Sequence, residues 1–259
     1  MTDVALLSVL QGVAEFLPIS SSGHLVLGKS LLNMQDAGIR LDVFLHVGTL
    51  VAVFAFYWAT VWRLVRGCLR REGEAWAYAG KLVLSAVPAG IVGVLGKDAL
   101  ETAFASPRAV GFALMFTGVV LTATRFLPKG TSAVSWWKAL AMGLAQAVAI
   151  LPGVSRSGMT LAAARASKVE AAASAEFSFL MSAPPIAGAA LLEIVKAAKA
   201  AEGAAATDVG WGACVFGAAL AALVGYFSLK LLVRSLKGRW FWLFGPYCLA
   251  AGLLTVLLV

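Results

Sequence analysis

Long apolar stretches alternate with short polar ones along the chain, and six of the apolar stretches are long enough to cross a bilayer. A helix needs about 20 predominantly apolar residues to span the hydrocarbon core. The paired Pro184-Pro185 predicts a kink within the fourth stretch. The six predicted spanning helices cover residues 41–62, 76–96, 108–126, 173–195, 209–229 and 240–258.

Two further apolar stretches, 4–31 and 136–167, are interrupted near their middle by Pro18–Gly23 and Pro152–Gly158. The proline, glycine and serine residues there would leave backbone groups unpaired in lipid. Such breaks occur at membrane depth only where protein buries them or where they line a wet cavity. Since each half is too short to cross alone, we predict two re-entrant helix–loop–helix hairpins in an all-α polytopic membrane protein.

Composition and charge agree with this architecture and set its orientation. Hydrophobic residues make up 61% of the 259 and charged residues only 13%, which excludes an ordinary soluble enzyme and a disordered or fibrous chain. Of the 21 Lys and Arg residues, 14 lie on one predicted side of the membrane and six on the other. The positive-inside rule makes the first side cytoplasmic and places both termini on the opposite, outer side of the membrane. The net charge of +8 is therefore a topology signal, and we expect no nucleic-acid partner.

The two interrupted segments resemble each other at a constant offset of 135 residues. Six residues between positions 11 and 23 recur between 146 and 158. Each hairpin is followed by three spans, an odd number, so the second unit starts from the opposite face of the membrane. The prediction is a single transmembrane domain over 1–259, built as an inverted-topology repeat of about 1–126 and about 136–259. The matching residues are Gln11, Val13, Ala14, Ser20, Ser22 and Gly23 with Gln146, Val148, Ala149, Ser155, Ser157 and Gly158.

The two breaks combine features that favour binding of an anion. A half-helix is predicted to begin after each break, and its first turn offers unpaired N–H groups at a positive dipole end. Ser20 and Ser155 either contact the anion or only cap these helices, and Gly23 and Gly158 permit close approach. Arg156 is the one basic residue inside a break, where charge is costly and is by default functional. Its structural alternative is an ion pair with Glu15 or Glu176.

The first break adds candidates for acid–base chemistry. Glu15 lies one helical turn after Gln11, and Ser21, Ser22 and His24 follow it. Histidine is suited to proton transfer near neutral pH. The position equivalent to Glu15 is Ile150, and the one equivalent to Arg156 is Ser21. One hairpin thus supplies the carboxylate and the other the cation, which predicts hydrolysis of a lipid-linked phosphorylated anion with a serine or a water as nucleophile.

Three other polar residues in the spans carry weaker signals. His46 lies in an apolar span without polar neighbours and is expected to be packed or hydrogen-bonded. Asp42 and Glu176 lie near the starts of corresponding spans. They are either supporting partners of the site or interfacial charges.

The sequence around both breaks resembles the undecaprenyl-diphosphate phosphatases of the bacitracin-resistance family. The family pattern of Glu or Gln, three residues, Glu, a serine-rich loop and histidine reads here from Gln11 through Glu15 to His24. Its second motif reads here from Pro152 to Thr160, and Glu176–Leu180 is also similar. The resemblance extends over essentially the whole chain.

The resemblance implies removal of the terminal phosphate from a C55 polyprenyl diphosphate. Glu15, Ser21 and His24 fall on the family's catalytic positions and Arg156 on its phosphate-binding position. It also implies dependence on Mg²⁺ or Ca²⁺, with Glu15 as the candidate ligand. Because Gln11 stands where some members have glutamate, the ion either binds at Glu15 or enters on the diphosphate. The predicted substrate-binding residues are Gln11, Ser20, Ser22, Gly23, Gly153, Ser155, Ser157, Gly158, Thr160 and Glu176.

One alternative function is a carrier. Inverted repeats and broken helices are typical of transporters, so the protein would move a lipid phosphate or an anion without cleaving it. A carrier accounts less well for the concentration of Glu15, Ser21 and His24 in one half of the chain. A homodimer is compatible with the resemblance.

Overall fold

A computed structural model describes residues 1–34, 38–96, 106–188, 191, 209–238 and 240–258. Within these ranges the chain is helical, with two isolated β-bridges, Gly130 with Glu170 and Ser132 with Val169. Short 3₁₀ turns occur at Thr124–Phe126 and Phe241–Leu243, and residues 183–188 are also helical. The longer helices are α1 (Thr2–Ala14), α2 (Ser21–Leu31), α3 (Gly38–Phe56), α4 (Trp58–Leu69), α5 (Gly73–Leu95), α6 (Pro107–Ala123), α7 (Trp136–Val148), α8 (Arg156–Ala166), α9 (Ala171–Leu180), α10 (Trp211–Lys237) and α11 (Phe244–Leu258).

Four helical segments among the described residues are long and apolar enough to cross a membrane, and a bent pair makes a fifth candidate. The four are Gly73–Leu95, Pro107–Phe126, Trp211–Lys237 and Phe241–Leu258. They overlap the predicted spans 76–96, 108–126, 209–229 and 240–258, and the third helix continues eight residues beyond position 229. The chain is therefore a multi-pass membrane protein.

The structure departs from the predicted span 41–62. The helix does not run straight through this range but bends by 78° between Phe56 and Trp58. The 19 residues of α3 rise about 28 Å, which already matches a hydrocarbon core of about 30 Å. The remaining residues of the predicted span belong to α4, which has a different pattern of polar positions.

The predicted span 173–195 is also interrupted. Helix α9 ends at Leu180, a turn occupies residues 181–182, and helix resumes at 183. Pro184 and Pro185 lie in the first turn of the new segment, where proline is tolerated because its missing N–H has no helical partner. Residues 189–190 and 192–195 of this predicted span lie outside the described residues.

Both interrupted stretches fold as helix, loop and helix. Helix α1 packs against α2 across the loop 15–20, and α7 packs against α8 across the loop 149–155. Proline and glycine interrupt the helices where the sequence predicts it. The loop of the first stretch also contributes to the hydrophobic core. Its Phe16 is buried, and the Phe16 ring makes an edge contact with Phe179 of α9 at 5.4 Å.

Close helix packing brings the halves of the chain together around these loops. Helix α3 and helix α1 both lie against α10, while α5 lies against α7. Helices α6 and α11 approach at glycines, and a Cβ added at Gly118 would lie 2.8 Å from the backbone oxygen of Gly245. Only a residue without a side chain permits such contact. This packing fixes the two loops between the halves.

Candidate active site

Each loop ends in a serine that caps the next helix. The Ser20 Oγ accepts a hydrogen bond from the Gly23 N–H at 3.3 Å, and the Ser155 Oγ accepts one from the Gly158 N–H at 3.1 Å. Both serines therefore cap these helices, and their contact with an anion stays a prediction. Each capping bond satisfies one N–H donor of a helix start, while the dipole still favours an anion there.

The two loops contact each other in a reciprocal way. The Gly153 N–H donates to the Ser22 Oγ at 3.4 Å, and the Ser157 Oγ donates to the Leu17 carbonyl at 3.4 Å. Gly153 has φ of 92°, and a Cβ there would lie 2.5 Å from the Val110 carbonyl oxygen. Glycine is thus required at 153 for both its backbone angle and its surroundings.

Glu15 lies at the centre of the contact between the loops. Its side chain accepts hydrogen bonds from the Ser21 Oγ at 2.6 Å and from the Gln11 Nε2 at 3.1 Å, both on Oε2. Its Oε1 accepts from the Arg156 Nη2. Glu15 is only 6% exposed and Gln11 is fully buried. The structure therefore joins a carboxylate and a serine of one half to the arginine of the other.

Arg156 is the first residue of α8, directly after the Ser155 cap. Its ion pair with Glu15 is the structural alternative that the sequence left open, and Glu15 is the partner instead of Glu176. The side chain keeps 18% of its surface exposed. Guanidinium carries five donors in a planar fork that matches phosphate oxygens, so an arginine here is suited to an anionic group as well as to Glu15.

His24 lies on α2 one turn after the Ser20 cap, and its side chain contacts Tyr247 of α11. Its Nδ1 donates to the Ser20 carbonyl at 2.9 Å. This bond leaves Nε2 of the neutral ring as an acceptor, and the Tyr247 hydroxyl donates to it at 2.7 Å. The two rings also stack at 5.7 Å. The catalytic role of His24 stays a prediction.

Two residues that sequence reasoning did not assign to the site contact its members. The His46 Nε2 lies 3.9 Å from the Glu15 Oε2, and its Nδ1 donates to the Asp42 carbonyl at 2.8 Å. Tyr247 of α11 is the other, through His24. The expectation that His46 is hydrogen-bonded is confirmed, but its closeness to Glu15 was missed. A histidine in an apolar span was the available signal, since ionisable residues in spans usually face functional cavities.

Thr160 and Glu176 lie apart from the Glu15 carboxylate. The Thr160 Oγ1 lies 2.6 Å from the Ser178 Oγ and donates to the Arg156 carbonyl at 2.9 Å, so it links α8 to α9. The Glu176 carboxylate accepts from the Thr60 Oγ1 at 2.8 Å and from the Tyr78 hydroxyl at 3.2 Å. Their predicted contact with substrate stays a prediction.

A resident divalent cation does not fit the side chains around Glu15. Among the described ranges, no group of three or more His, Cys, Asp or Glu side chains is placed to hold a metal ion. Both Glu15 oxygens already accept hydrogen bonds. The Gln11 Oε1 is buried without a hydrogen-bond partner, and an amide oxygen is a suitable ligand for Mg²⁺ or Ca²⁺. One carboxylate and one amide oxygen do not make a site formed by protein alone.

The arrangement combines three chemical capacities within one contact between loops. Two helix N-termini and Arg156 provide donors and positive charge for an anion. The Glu15 carboxylate is placed to accept the proton of the Ser21 hydroxyl. A hydroxyl so activated is a nucleophile, and the same carboxylate would equally orient a water.

Comparison with known proteins agrees with this chemistry. The family description "Bacitracin resistance protein BacA" matches residues 4–254. The chain is 42% identical over 257 residues to a protein of Pelotomaculum thermopropionicum named undecaprenyl-diphosphatase, covering 97% of this chain and 94% of the relative. Proteins of the same name from Halothermothrix orenii and Methanosphaera stadtmanae are 37% and 35% identical, each covering 98% of this chain and 96% of the relative.

Proposed function

The chain belongs to the bacitracin resistance protein BacA family, and we propose that it hydrolyses undecaprenyl diphosphate to undecaprenyl phosphate and inorganic phosphate. This reaction returns the lipid carrier to peptidoglycan synthesis and confers bacitracin resistance. The observation that carries the proposal is the contact of Glu15 with both Ser21 and Arg156 between two helix N-termini. The full-length relatives named undecaprenyl-diphosphatase favour it over a carrier.

The diphosphate binds at the N-termini of α2 and α8. Arg156 turns its guanidinium from Glu15 to the terminal phosphate, whose oxygens also accept from the backbone N–H groups of both first turns. The serines at 20, 22, 155 and 157 and the glycines at 23, 153 and 158 lie in or next to the two loops, where glycine permits close approach of the backbone. The prenyl chain remains in the lipid.

Release of Arg156 from Glu15 prepares the carboxylate for proton transfer. The Ser21 Oγ then bonds to the terminal phosphorus while its proton passes to Glu15, and the bond from phosphorus to the bridging oxygen breaks. Undecaprenyl phosphate leaves, and water cleaves the phosphoserine to give inorganic phosphate. A water in place of the Ser21 Oγ gives the same products in one step. Glu15 or His24 carries the proton in either route.

A divalent cation, Mg²⁺ or Ca²⁺, would enter with the diphosphate and would neutralise part of its charge. Magnesium ions commonly bind through substrate phosphates with few protein ligands. Among the described residues, no cluster of His, Cys, Asp or Glu ligands is placed to hold the ion, which supports this assignment.

The proposed membrane arrangement has six spans and two re-entrant hairpins in an inverted repeat. Reciprocal packing supports it, since α1 lies against α10 and the equivalent α7 lies against α5. Gly111 contacts Gly252 and Gly118 contacts Gly245. Gly111 and Gly245 lie 134 residues apart, as do Gly118 and Gly252, so equivalent glycines of the two halves form reciprocal pairs. The positive-inside rule supports an inner-membrane protein with both termini in the periplasm. A homodimer stays a prediction.

The experiment is phosphate release from C55 and C15 diphosphates by the purified full chain in proteoliposomes. We expect Arg156→Ala, His24→Ala and Ser21→Ala to lose at least about 100-fold, the size of a lost transition-state contact. Ser8→Ala is the matched control, because Ser8 is buried on α1, the helix that precedes Glu15, and donates to the Val4 carbonyl of its own helix at 2.6 Å. Unchanged release by Arg156→Ala and His24→Ala would refute the mechanism.

Two further measurements separate the remaining routes. Rapid-quench trapping of phosphoserine at Ser21 supports the covalent route, and its absence during turnover supports the water route. Flux of a polyprenyl phosphate across the vesicle without phosphate release would instead identify a carrier.

A further inference from the structure

The axis of helix α4 is turned sharply away from the axis of α3. The bend between Arg40–Phe56 and Trp58–Leu69 is 78°. Since α3 alone rises about 28 Å and so traverses the core, a helix at this angle runs along the membrane surface. Its 12 residues extend about 18 Å, nearly parallel to the bilayer plane.

One face of α4 is apolar and is left uncovered by the part of the chain that the structure describes. Trp58 is 61% exposed and Leu69 is 80% exposed. At about 100° per residue, the apolar members fall within roughly 60° of the helix circumference. They are Trp58, Trp62, Val65 and Leu69.

A second face of α4 is basic and also exposed. Arg63, Arg66 and Arg70 point to a sector centred about 100° around the helix from the apolar residues. Arg71 follows directly at the helix end. The nearby acidic residues, Glu72 and Glu74, compensate only two of these four charges.

The third face of α4 holds the helix against the protein. Gly67 is buried, and a Cβ there would lie 2.6 Å from the Ala75 Cβ of α5. The Thr60 Oγ1 donates to the Glu176 carboxylate at 2.8 Å. The orientation of the apolar and basic faces is therefore fixed by contacts on this side.

The aromatic residues of α4 match the chemistry of a membrane interface. The Trp58 and Trp62 rings stack at 6.1 Å, and the Arg66 guanidinium lies 5.5 Å over the Trp62 ring. Tryptophan is enriched where headgroups meet acyl chains, and arginine pairs with phosphate oxygens through its planar fork.

We infer that α4 is an interfacial helix that binds anionic phospholipid headgroups of the cytoplasmic leaflet. The inference rests on the proposed membrane orientation and is independent of the phosphatase chemistry. Trp58, Trp62, Val65 and Leu69 enter the acyl boundary, and the arginines face the phosphates. An apolar stripe bordered by arginines is complementary to a lipid surface. Helix α3 leads directly into α4 and so places it at that surface.

The first test measures the surroundings of each face of α4 in the full chain. In a background with Cys68, Cys214 and Cys248 changed to alanine, Val65→Cys and Leu69→Cys label the apolar face. Arg66→Cys and Arg70→Cys label the basic one. Each cysteine carries a nitroxide, and relaxation by lipid-soluble oxygen is compared with relaxation by a water-soluble nickel chelate in proteoliposomes.

We expect oxygen to dominate at positions 65 and 69 and nickel to dominate at 66 and 70. Nickel access at all four positions would overturn the inference, because α4 would then lie in water or against a soluble partner. Oxygen access at all four positions would also overturn it, because α4 would then be inside the membrane. Phosphate release does not enter the readout, so failure here is distinguishable from failure of the proposed function.

The second test addresses the lipid charge. Replacing a quarter of phosphatidylcholine with phosphatidylglycerol should raise the ratio of oxygen to nickel access at Leu69→Cys at least twofold. Adding Arg66→Gln and Arg70→Gln should abolish that change. Arg125→Gln with Lys129→Gln is the control, since it removes equal charge from the same predicted side but not from α4. A ratio that does not respond to phosphatidylglycerol would overturn the anionic specificity.

Discussion

Removal of the arginine from the Glu15–Arg156 pair should destabilise the protein as well as inactivate it. In Arg156→Met, Glu15 keeps its hydrogen bonds from Gln11 and Ser21 but remains a charge with 5% of its side chain exposed. Breaking one side of a buried pair costs about 3–5 kcal/mol. Because two donors remain, we expect about 3 kcal/mol, equivalent to a fall in melting temperature of roughly 6–12 °C for a chain of this size.

Removal of both charges should separate the structural role from the chemical one. The double variant Glu15→Gln with Arg156→Met leaves no unpaired charge, so its stability should return to within about 1 kcal/mol of the parent protein. Phosphate release should nevertheless remain at least about 100-fold reduced, because the carboxylate and the phosphate donor are both absent.

The assay is thermal unfolding in detergent followed by size-exclusion chromatography, together with phosphate release in proteoliposomes. Glu15→Gln alone completes the double-mutant cycle. An Arg156→Met variant as stable as the parent would refute the buried pair as a stabilising contact. Recovery of phosphate release in the double variant would refute the assignment of chemistry to these two residues.

Three further predictions follow from other contacts. Gly118→Ala should cost about 1–3 kcal/mol in unfolding measurements, because its Cβ would lie 2.7 Å from the Leu249 backbone nitrogen. Gly93→Ala, whose Cβ meets nothing within 4 Å, is the neutral control. Tyr247→Phe should lower kcat about tenfold by removing the donor to His24, with the thermal midpoint changed by little; an unchanged kcat would contradict a catalytic His24. Chelation should abolish phosphate release and added Mg²⁺ should restore it; release that continues in excess chelator would contradict a role for the ion.

The broken helices were predictable because their cause is local. Pro18, Gly23, Pro152 and Gly158 interrupt apolar stretches, and serines before each second half mark a helix start. The structure has those helix starts at Ser21 and Arg156. The similar conformation of the two loops was also predictable, since their repeated residues imply matching conformations.

The bend at Tyr57 was not predictable from hydropathy alone. The chain reads Phe56-Tyr57-Trp58 there, without the proline or glycine that usually marks a break. The apolar run continues into α4, so it reads as one span. The arginines that recur from Arg63 onward distinguish an amphipathic surface helix from a spanning one.

The partners of the site depended on contacts that are distant in sequence. Arg156 had two candidate carboxylates, and only the packing of one loop against the other selects Glu15 over Glu176. His46 and Tyr247 reach the site from α3 and α11. An ionisable residue in an apolar span was the one signal for His46, and the sequence around Tyr247 offers none. Local patterns thus predict which segments form the site, and the tertiary packing decides which side chains meet.

The ion pair across the two loops has a consequence for the two halves as separate molecules. The position equivalent to Glu15 in the second half is Ile150, and the position equivalent to Arg156 in the first half is Ser21. A self-assembled pair of first halves would hold two carboxylates, each facing Ser21 of the other copy, and no guanidinium. A pair of second halves would hold two guanidinium groups and no base. Because both halves belong to one chain, the matched positions can carry different residues, so that one half supplies the base and the other the guanidinium.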